Sequence, residues 1–327
     1  MRSKNFFKLQ NVFLLLLCGF FHLSVKGQDS LRITSTFIGL NFDSAELSQM
    51  KPAVASHLLQ LNALRRQNIS NNIPLGLIWI PPVNNSRIPV KQSTIDWRLP
   101  TSVSLPKDKN ELAFYPVNKL AYLIKNRQIT SVELTQLFLN RLKKYGDTLQ
   151  CVITITDSLA LSQAQRADLE ISQGIYRGPL HGIPYGAKDL LNVAGYKTTW
   201  GATPFKSQIF SGNAEIINRL EAAGAVLVAK LTLGALAWGD VWYDGKTKNP
   251  WNLEQGSSGS SAGSTSATVA GLVPFAIGSE TRGSIVSPST RCGATGLRPT
   301  FGRISKDGAM ALSWTMDKLG PICKNAL

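Results

Sequence analysis

Two runs of small hydroxyl residues, joined by one apolar segment, constrain this 327-residue chain more than any other feature. The first is Gly256-Ser257-Ser258-Gly259-Ser260-Ser261-Ala262-Gly263-Ser264, and the second is Gly278-Ser279-Glu280-Thr281-Arg282-Gly283-Ser284. Glycine-rich backbone can take positive φ and approach a ligand closely. Composition of this kind also describes a flexible linker. The segment between the runs, Val269 to Ile277, argues otherwise, because it reads as a helix end followed by a buried strand. A free linker has no need to bury such a segment. Two hydroxyl-bearing loops are therefore fixed to one core strand, as catalytic loops are fixed to a scaffold.

A second cluster lies upstream, at Gly178-Pro179-Leu180-His181-Gly182-Ile183-Pro184-Tyr185-Gly186-Ala187-Lys188-Asp189. A lysine ending an apolar strand either snorkels to water or is buried. If buried, it loses its charge more easily than at its reference pKa of roughly 10.4. A neutral amine near serines makes a base and nucleophile set.

Together the three segments resemble the amidase signature family, whose pattern joins a Gly-Ile-Pro strand ending in Lys-Asp to a Gly-Ser-Ser loop and an Asp-Thr-Gly-Gly-Ser-Ile loop. The resemblance runs from about Pro116 to Leu327. It implies hydrolysis of a carboxylic amide by a Ser–cis-Ser–Lys triad, with Lys188 as base, Ser260 as bridging serine and Ser284 as nucleophile. Ser257 and Ser258 form a competing Gly-Ser-Ser, but the separation of Ser260 from Ser284 matches the family spacing. Backbone N–H groups of Thr281, Arg282, Gly283 and Ser284 are implied to bind the oxyanion. No cofactor and no metal are implied.

Two departures stand out. Arg282 occupies a glycine position of the oxyanion loop, so the backbone there must tolerate a Cβ, and its side chain is a candidate to reach substrate. The family pattern also continues past Leu327, so the core is expected to be incomplete at its C-terminal side. An ammonia-producing relative, the glutamyl-tRNA amidotransferase A subunit, is one alternative; an inactive truncated remnant is another. The amide itself, the oligomeric state and a role for residues 28–112 are not readable.

The rest of the chain fits this frame. Alternating helices and apolar strands from Val117 onward predict an α/β fold, with a mixed central sheet covered by helices on both faces. Capping boxes at Asp43-Ser44-Ala45-Glu46 and Thr130-Ser131-Val132-Glu133 predict helix starts, and Pro52 predicts a kink or a second helix. Pro74 to Ile80 reads as a strand. Residues 28–112 form an extension and 113–327 the core. Residues 1–27 read as a signal peptide: Arg2, Lys4 and Lys8 precede an apolar stretch from Val12 to Phe21. This predicts an exported protein, periplasmic or secreted, with no stable membrane insertion after cleavage.

The formal charge is +15; without Arg2, Lys4, Lys8 and Lys26, 31 basic residues face 20 acidic ones, a net of +11. No basic run interleaved with aromatics accompanies it, so nucleic acid is not an expected partner. With three histidines and four scattered cysteines, neither a zinc site nor a disulfide framework is expected. Cys151, Cys292 and Cys323 read as small core residues. Gly259-Ser260-Ser261-Ala262-Gly263 also fits a nucleophile elbow, but that motif needs a buried strand before it and a histidine after it. Trp251 to Gln255 is no buried strand and no histidine follows His181. Ser104-Leu105-Pro106-Lys107 matches S-x-x-K without a K-T-G partner.

Overall fold

A computed structural model describes residues 27–67 and 95–326. The signal-peptide reading and the strand expected at Pro74–Ile80 lie outside these residues. Contacts divide the chain into two units, 1–92 and 93–327.

In the first unit, helices α1 (Gly27–Phe37) and α2 (Ser44–Arg66) are present. The Asp43 side chain accepts from Ala45 and Glu46 N–H, and Glu46 reaches back to Asp43 N–H, so both halves of the capping box form. Helix α2 runs through Pro52, correcting the expectation of a second helix. A missing proline N–H removes one i→i−4 bond, and neighbouring turns sustain the rest. Leu58, Leu61 and Leu64 of its apolar stripe are exposed.

The second unit is built on six strands, β1 (Val152–Ile155), β2 (Pro184–Lys188), β3 (Val226–Leu231), β8 (Phe275–Glu280), β9 (Thr295–Gly296) and β10 (Lys318–Cys323). They form one sheet of order β1-β3-β2-β8-β10-β9. Strand β2 runs parallel to both β3 and β8, while β1, β9 and β10 pair antiparallel. Four two- to five-residue strands, β4 (Val241–Trp242), β5 (Gly245–Lys246), β6 (Lys248–Asn249) and β7 (Asn252–Gly256), form two small ribbons. Thus a strand does precede the serine loop at 252–256, but it is exposed rather than buried.

The helices of this unit are α3 (Val117–Lys125), α4 (Ser131–Leu149), α5 (Asp157–Ser172), α6 (Glu215–Ala222), α7 (Ala262–Val269) and α8 (Val286–Cys292), the last of which was not expected. They cover two apolar clusters. Leu120, Ile124, Ile217 and Leu220 belong to one, with Tyr185, Ala187, Leu227, Phe275 and Ile277 of the sheet. Leu139, Leu142, Ala160, Ala164 and Ala267 belong to the other, with Val226, Val228, Ala229, Leu231 and Ala276. Strand parity explains β2: Tyr185 and Ala187 face the first cluster, so Gly186 and Lys188 point to the face that carries α7.

Strand β3 breaks this parity. Tyr185 pairs with Leu227 and Gly186 with Ala229, leaving Val228 as an extra residue. Such a bulge flips every later side chain to the opposite face. Ala229 and Leu231 consequently join Val226 and Val228 in one cluster, and Lys230 turns to the other side of the sheet from Lys188. Of the cysteines, Cys151 and Cys292 are buried and Cys323 is half-buried, all with free thiols. No described helix is long and apolar enough to cross a membrane.

Candidate active site

Helix α7, Ala-Gly-Ser-Thr-Ser-Ala-Thr-Val, is almost wholly buried and has no apolar stripe. Small side chains let it lie close to the sheet. A Cβ at Gly263 would run into the backbone of Cys151 and Thr232. Its hydroxyls are satisfied locally: Ser264 Oγ donates to Ile277 O at 3.1 Å, and Ser266 Oγ to Lys248 O at 2.8 Å. The loop before it carries the Gly259–Ser260 cis peptide bond. Gly259 is required there, since a Cβ would meet the Gly239 carbonyl. Ser258 N–H donates to Asp240 Oδ2 at 2.9 Å, fixing this loop to the 239–240 turn.

Lys188 ends β2 beneath this loop with no exposed surface. Its Nζ lies 2.8 Å from Ser260 Oγ, 3.1 Å from Ser261 Oγ, 2.9 Å from Ser279 Oγ and 3.4 Å from Ser279 O. Burial lowers its pKa from 10.5 to about 7, against the weaker pull of Asp317 and Glu280. Hydrogen-bond accounting then sets directions. Ser261 Oγ donates to Ser279 O at 3.0 Å and accepts Ser279 N–H at 3.1 Å, so towards Lys188 it can only accept. A neutral amine that donates to Ser261 and to Ser279 keeps its lone pair for the Ser260 hydroxyl. A protonated one donates to all three.

Ser284 lies on the loop between β8 and α8, and its carbonyl accepts the Ser261 N–H at 3.0 Å. The strand β8 that carries Ser279 thus leads directly into the loop that carries Ser284, and both bond to the Ser260-Ser261 segment. The Glu280 carboxylate organises that loop, accepting from Ile285 N–H at 2.8 Å and Val286 N–H at 2.9 Å. Burial opposes its ionisation, but the N–H groups of Val286, Ile285 and Gly283 and the charge of Arg298 outweigh this and hold its carboxyl below the usual range. Thr281 Oγ1 donates to Asp317, and Lys318 Nζ to Thr281 O at 3.0 Å. Gly283 takes φ +101°, where a side chain would be strained. Arg282 is exposed.

On the other sheet face Asp189 and Lys230 form an ion pair at 2.6 Å, both wholly buried. Asp189 also accepts from Thr199 N–H and Oγ at 2.7 and 2.6 Å, while Lys230 donates to Lys197 O and Thr198 Oγ1 at 2.9 Å. Burial pushes Asp189 up and Lys230 down from their ordinary values, opposed by their mutual attraction. The pair anchors the residue that follows Lys188. Sequence reasoning missed it, although Lys230 stands one residue from the end of an apolar strand, much as Lys188 ends its own. It also missed Ser261 and Ser279 as partners of the amine. Two surface concavities of about 530 and 360 Å3 flank α4, and neither is lined by Lys188, Ser260 or Ser284. Among the described residues no group of three or more His, Cys, Asp or Glu could hold a metal ion.

The profile of the family named Amidase matches residues 133–327, a span holding every residue of this cluster. The chain belongs to the amidase family. It is 40% identical over 211 residues to the glutamyl-tRNA(Gln) amidotransferase A subunit of Methylococcus capsulatus, covering 64% of this chain and 43% of that protein. The corresponding protein of Methylobacillus flagellatus is 39% identical over 215 residues, covering 65% and 44%. Among solved structures, native peptide amidase from Stenotrophomonas maltophilia superposes with a TM-score of 0.62 at 34% identity, covering 66% of this chain and 46% of its own. Fatty acid amide hydrolase gives 0.63 at 28% identity, covering 68% and 40%. This amidase-family chain therefore spans less than half the length of those relatives, and its fold is the mixed α/β sheet that they share.

Proposed function

We propose that this chain carries the nucleophile and base of an amide hydrolase, with Lys188, Ser260 and Ser284 as its catalytic triad. The observation that carries this reading is the buried Lys188 amine, 2.8 Å from Ser260 Oγ with a pKa of about 7. A general base works best with a pKa close to the operating pH. Lys188 takes the Ser260 proton while Ser260 takes that of Ser284, whose oxygen adds to the carbonyl carbon. The tetrahedral oxyanion is met by backbone N–H groups of the pinned loop at Thr281, Arg282 and Ser284, while the Gly283 N–H, also expected there, is engaged by the Glu280 carboxylate. The proton returns through Ser260 to the leaving nitrogen, the C–N bond breaks, and amine departs from an acyl-serine. Water, activated by the same relay, then releases the carboxylic acid and restores Ser284. A donor in an oxyanion hole contributes about 2.7–4 kcal/mol to such a step.

A second reading, ammonia production for an amidotransferase, draws on the 40% identity to the Methylococcus capsulatus protein. The basic and apolar start of the sequence favours the first reading, because it fits a chain sent out of the cytoplasm. We place the mature protein in the periplasm or outside the cell, beginning at Gln28. Fluorophosphonate labelling of the chain tests the triad: wild type labels at Ser284, Lys188→Ala labels far more slowly, and Ser284→Ala not at all. Equal labelling of wild type and Ser284→Ala would remove Ser284 from the role of nucleophile.

A further inference from the structure

We propose that Arg282 determines specificity, holding a carboxylate carried by the amide substrate close to its scissile carbonyl. This rests on the reading of Ser284 as nucleophile. The residues on either side of Arg282 are pinned: Glu280 grips Ile285 and Val286 N–H, Asp317 takes the Thr281 hydroxyl, and Lys318 takes the Thr281 carbonyl. Arg282 lies in that loop, exposed, and among the described residues its guanidinium has neither a hydrogen bond nor an ion pair.

The carboxylates nearest in the loop are already engaged. Glu280 serves the N–H groups of Ile285, Val286 and Gly283 and pairs with Arg298 at 3.5 Å, and Asp317 Oδ2 accepts from Leu312 and Ser313 N–H at 2.6 and 3.1 Å. Arg282, Arg298 and Lys318 against Glu280 and Asp317 leave the loop with one excess positive charge. Among the described residues nothing competes for the guanidinium, which leaves it open to an anion from solution.

Reach sets where that anion must be. One residue, Gly283, separates Arg282 from Ser284, a backbone span of at most about 7 Å. A guanidinium on its flexible stem therefore covers groups a few bonds from a carbonyl held at Ser284. Its planar fork matches a carboxylate through two parallel hydrogen bonds, which a lysine cannot reproduce. The substrate class is an amide whose acyl part bears a carboxylate two to four bonds from the scissile carbon.

Ammonia release from N-acetyl-glutamic acid α-amide and N-acetyl-methionine amide tests this on wild type, Arg282→Gln and Arg282→Lys. Each variant is scored by its ratio of kcat/KM for the acidic over the neutral amide, so any general loss cancels. Arg282→Gln is expected to lower that ratio about 10- to 100-fold, mostly through KM, and Arg282→Lys to restore part of it. Added salt should lower the wild-type ratio and leave that of Arg282→Gln unchanged. An equal ratio in wild type and Arg282→Gln, with Ser284→Ala inactive, overturns the role of Arg282 and leaves the triad standing. If wild type releases ammonia from neither amide while fluorophosphonate labels Ser284, the substrate class fails. If Ser284 is not labelled either, the triad fails and the role of Arg282 falls with it.

Discussion

Replacing Lys188 with methionine separates a buried neutral base from a lysine that merely fills space. Methionine keeps the length of the stem and removes the ionisable nitrogen. The pKa of Lys188 is about 7 in the fold against 10.5 in an ordinary setting, because it is wholly buried. At one pH unit per 1.36 kcal/mol, protonated Lys188 costs the folded state about 5 kcal/mol below pH 7. Between pH 7 and 10.5 the unfolded chain binds this proton and the folded one does not, so wild-type stability rises with pH at up to about 1.4 kcal/mol per unit. Lys188→Met lacks that slope. It also takes the amine from Ser260 and Ser279 Oγ, at about 1–3 kcal/mol for each buried group left unsatisfied, whereas Ser261 keeps its bonds to the Ser279 backbone. The absolute difference between the proteins mixes these effects, whereas its pH dependence isolates the amine. Urea unfolding at pH 6, 7, 8 and 9 should show wild type gaining on Lys188→Met by about 2 kcal/mol or more across the upper three points. In parallel, wild-type kcat/KM should rise with pH to a plateau, half-maximal at about 7. A difference in unfolding free energy that is flat from pH 6 to 9 would refute the argument.

Ser279→Ala removes an acceptor 2.9 Å from the Lys188 amine. Because that hydroxyl favours the charged lysine, the midpoint of the pH–rate profile should fall by about half to one unit; an unmoved midpoint would show that Ser279 does not set the base. Lys230→Met strands the buried Asp189 carboxylate and should cost about 3–5 kcal/mol in denaturant unfolding. A loss below about 1 kcal/mol would mean that water reaches Asp189.

The amidase-family membership, the α/β class and the buried strand between the two hydroxyl-bearing loops were legible in the order of amino acids. Glycine and serine runs on both sides of an apolar segment cannot be buried without a scaffold, and the helix starts at Asp43 and Thr130 are local capping boxes that form as written. Local rules did less well at Pro52, where neighbouring turns carry α2 past the missing N–H. Lys188, Ser260 and Ser284 were named from their motifs, but the depth of Lys188 and its contacts with Ser261 and Ser279 were not readable there. They depend on which elements meet, and β2 is separated from the serine loop and from β8 by some seventy to ninety residues of chain. The bulge at Val228 makes the same point. One extra residue, invisible in the composition of β3, turns Lys230 away from Lys188 and towards Asp189. Two lysines near the ends of two similar strands thereby receive different partners, a buried carboxylate for Lys230 and three serine hydroxyls for Lys188. Local sequence selects residue types and turns; packing across the sheet assigns each side chain its face, and with it the dielectric and partners that set its charge.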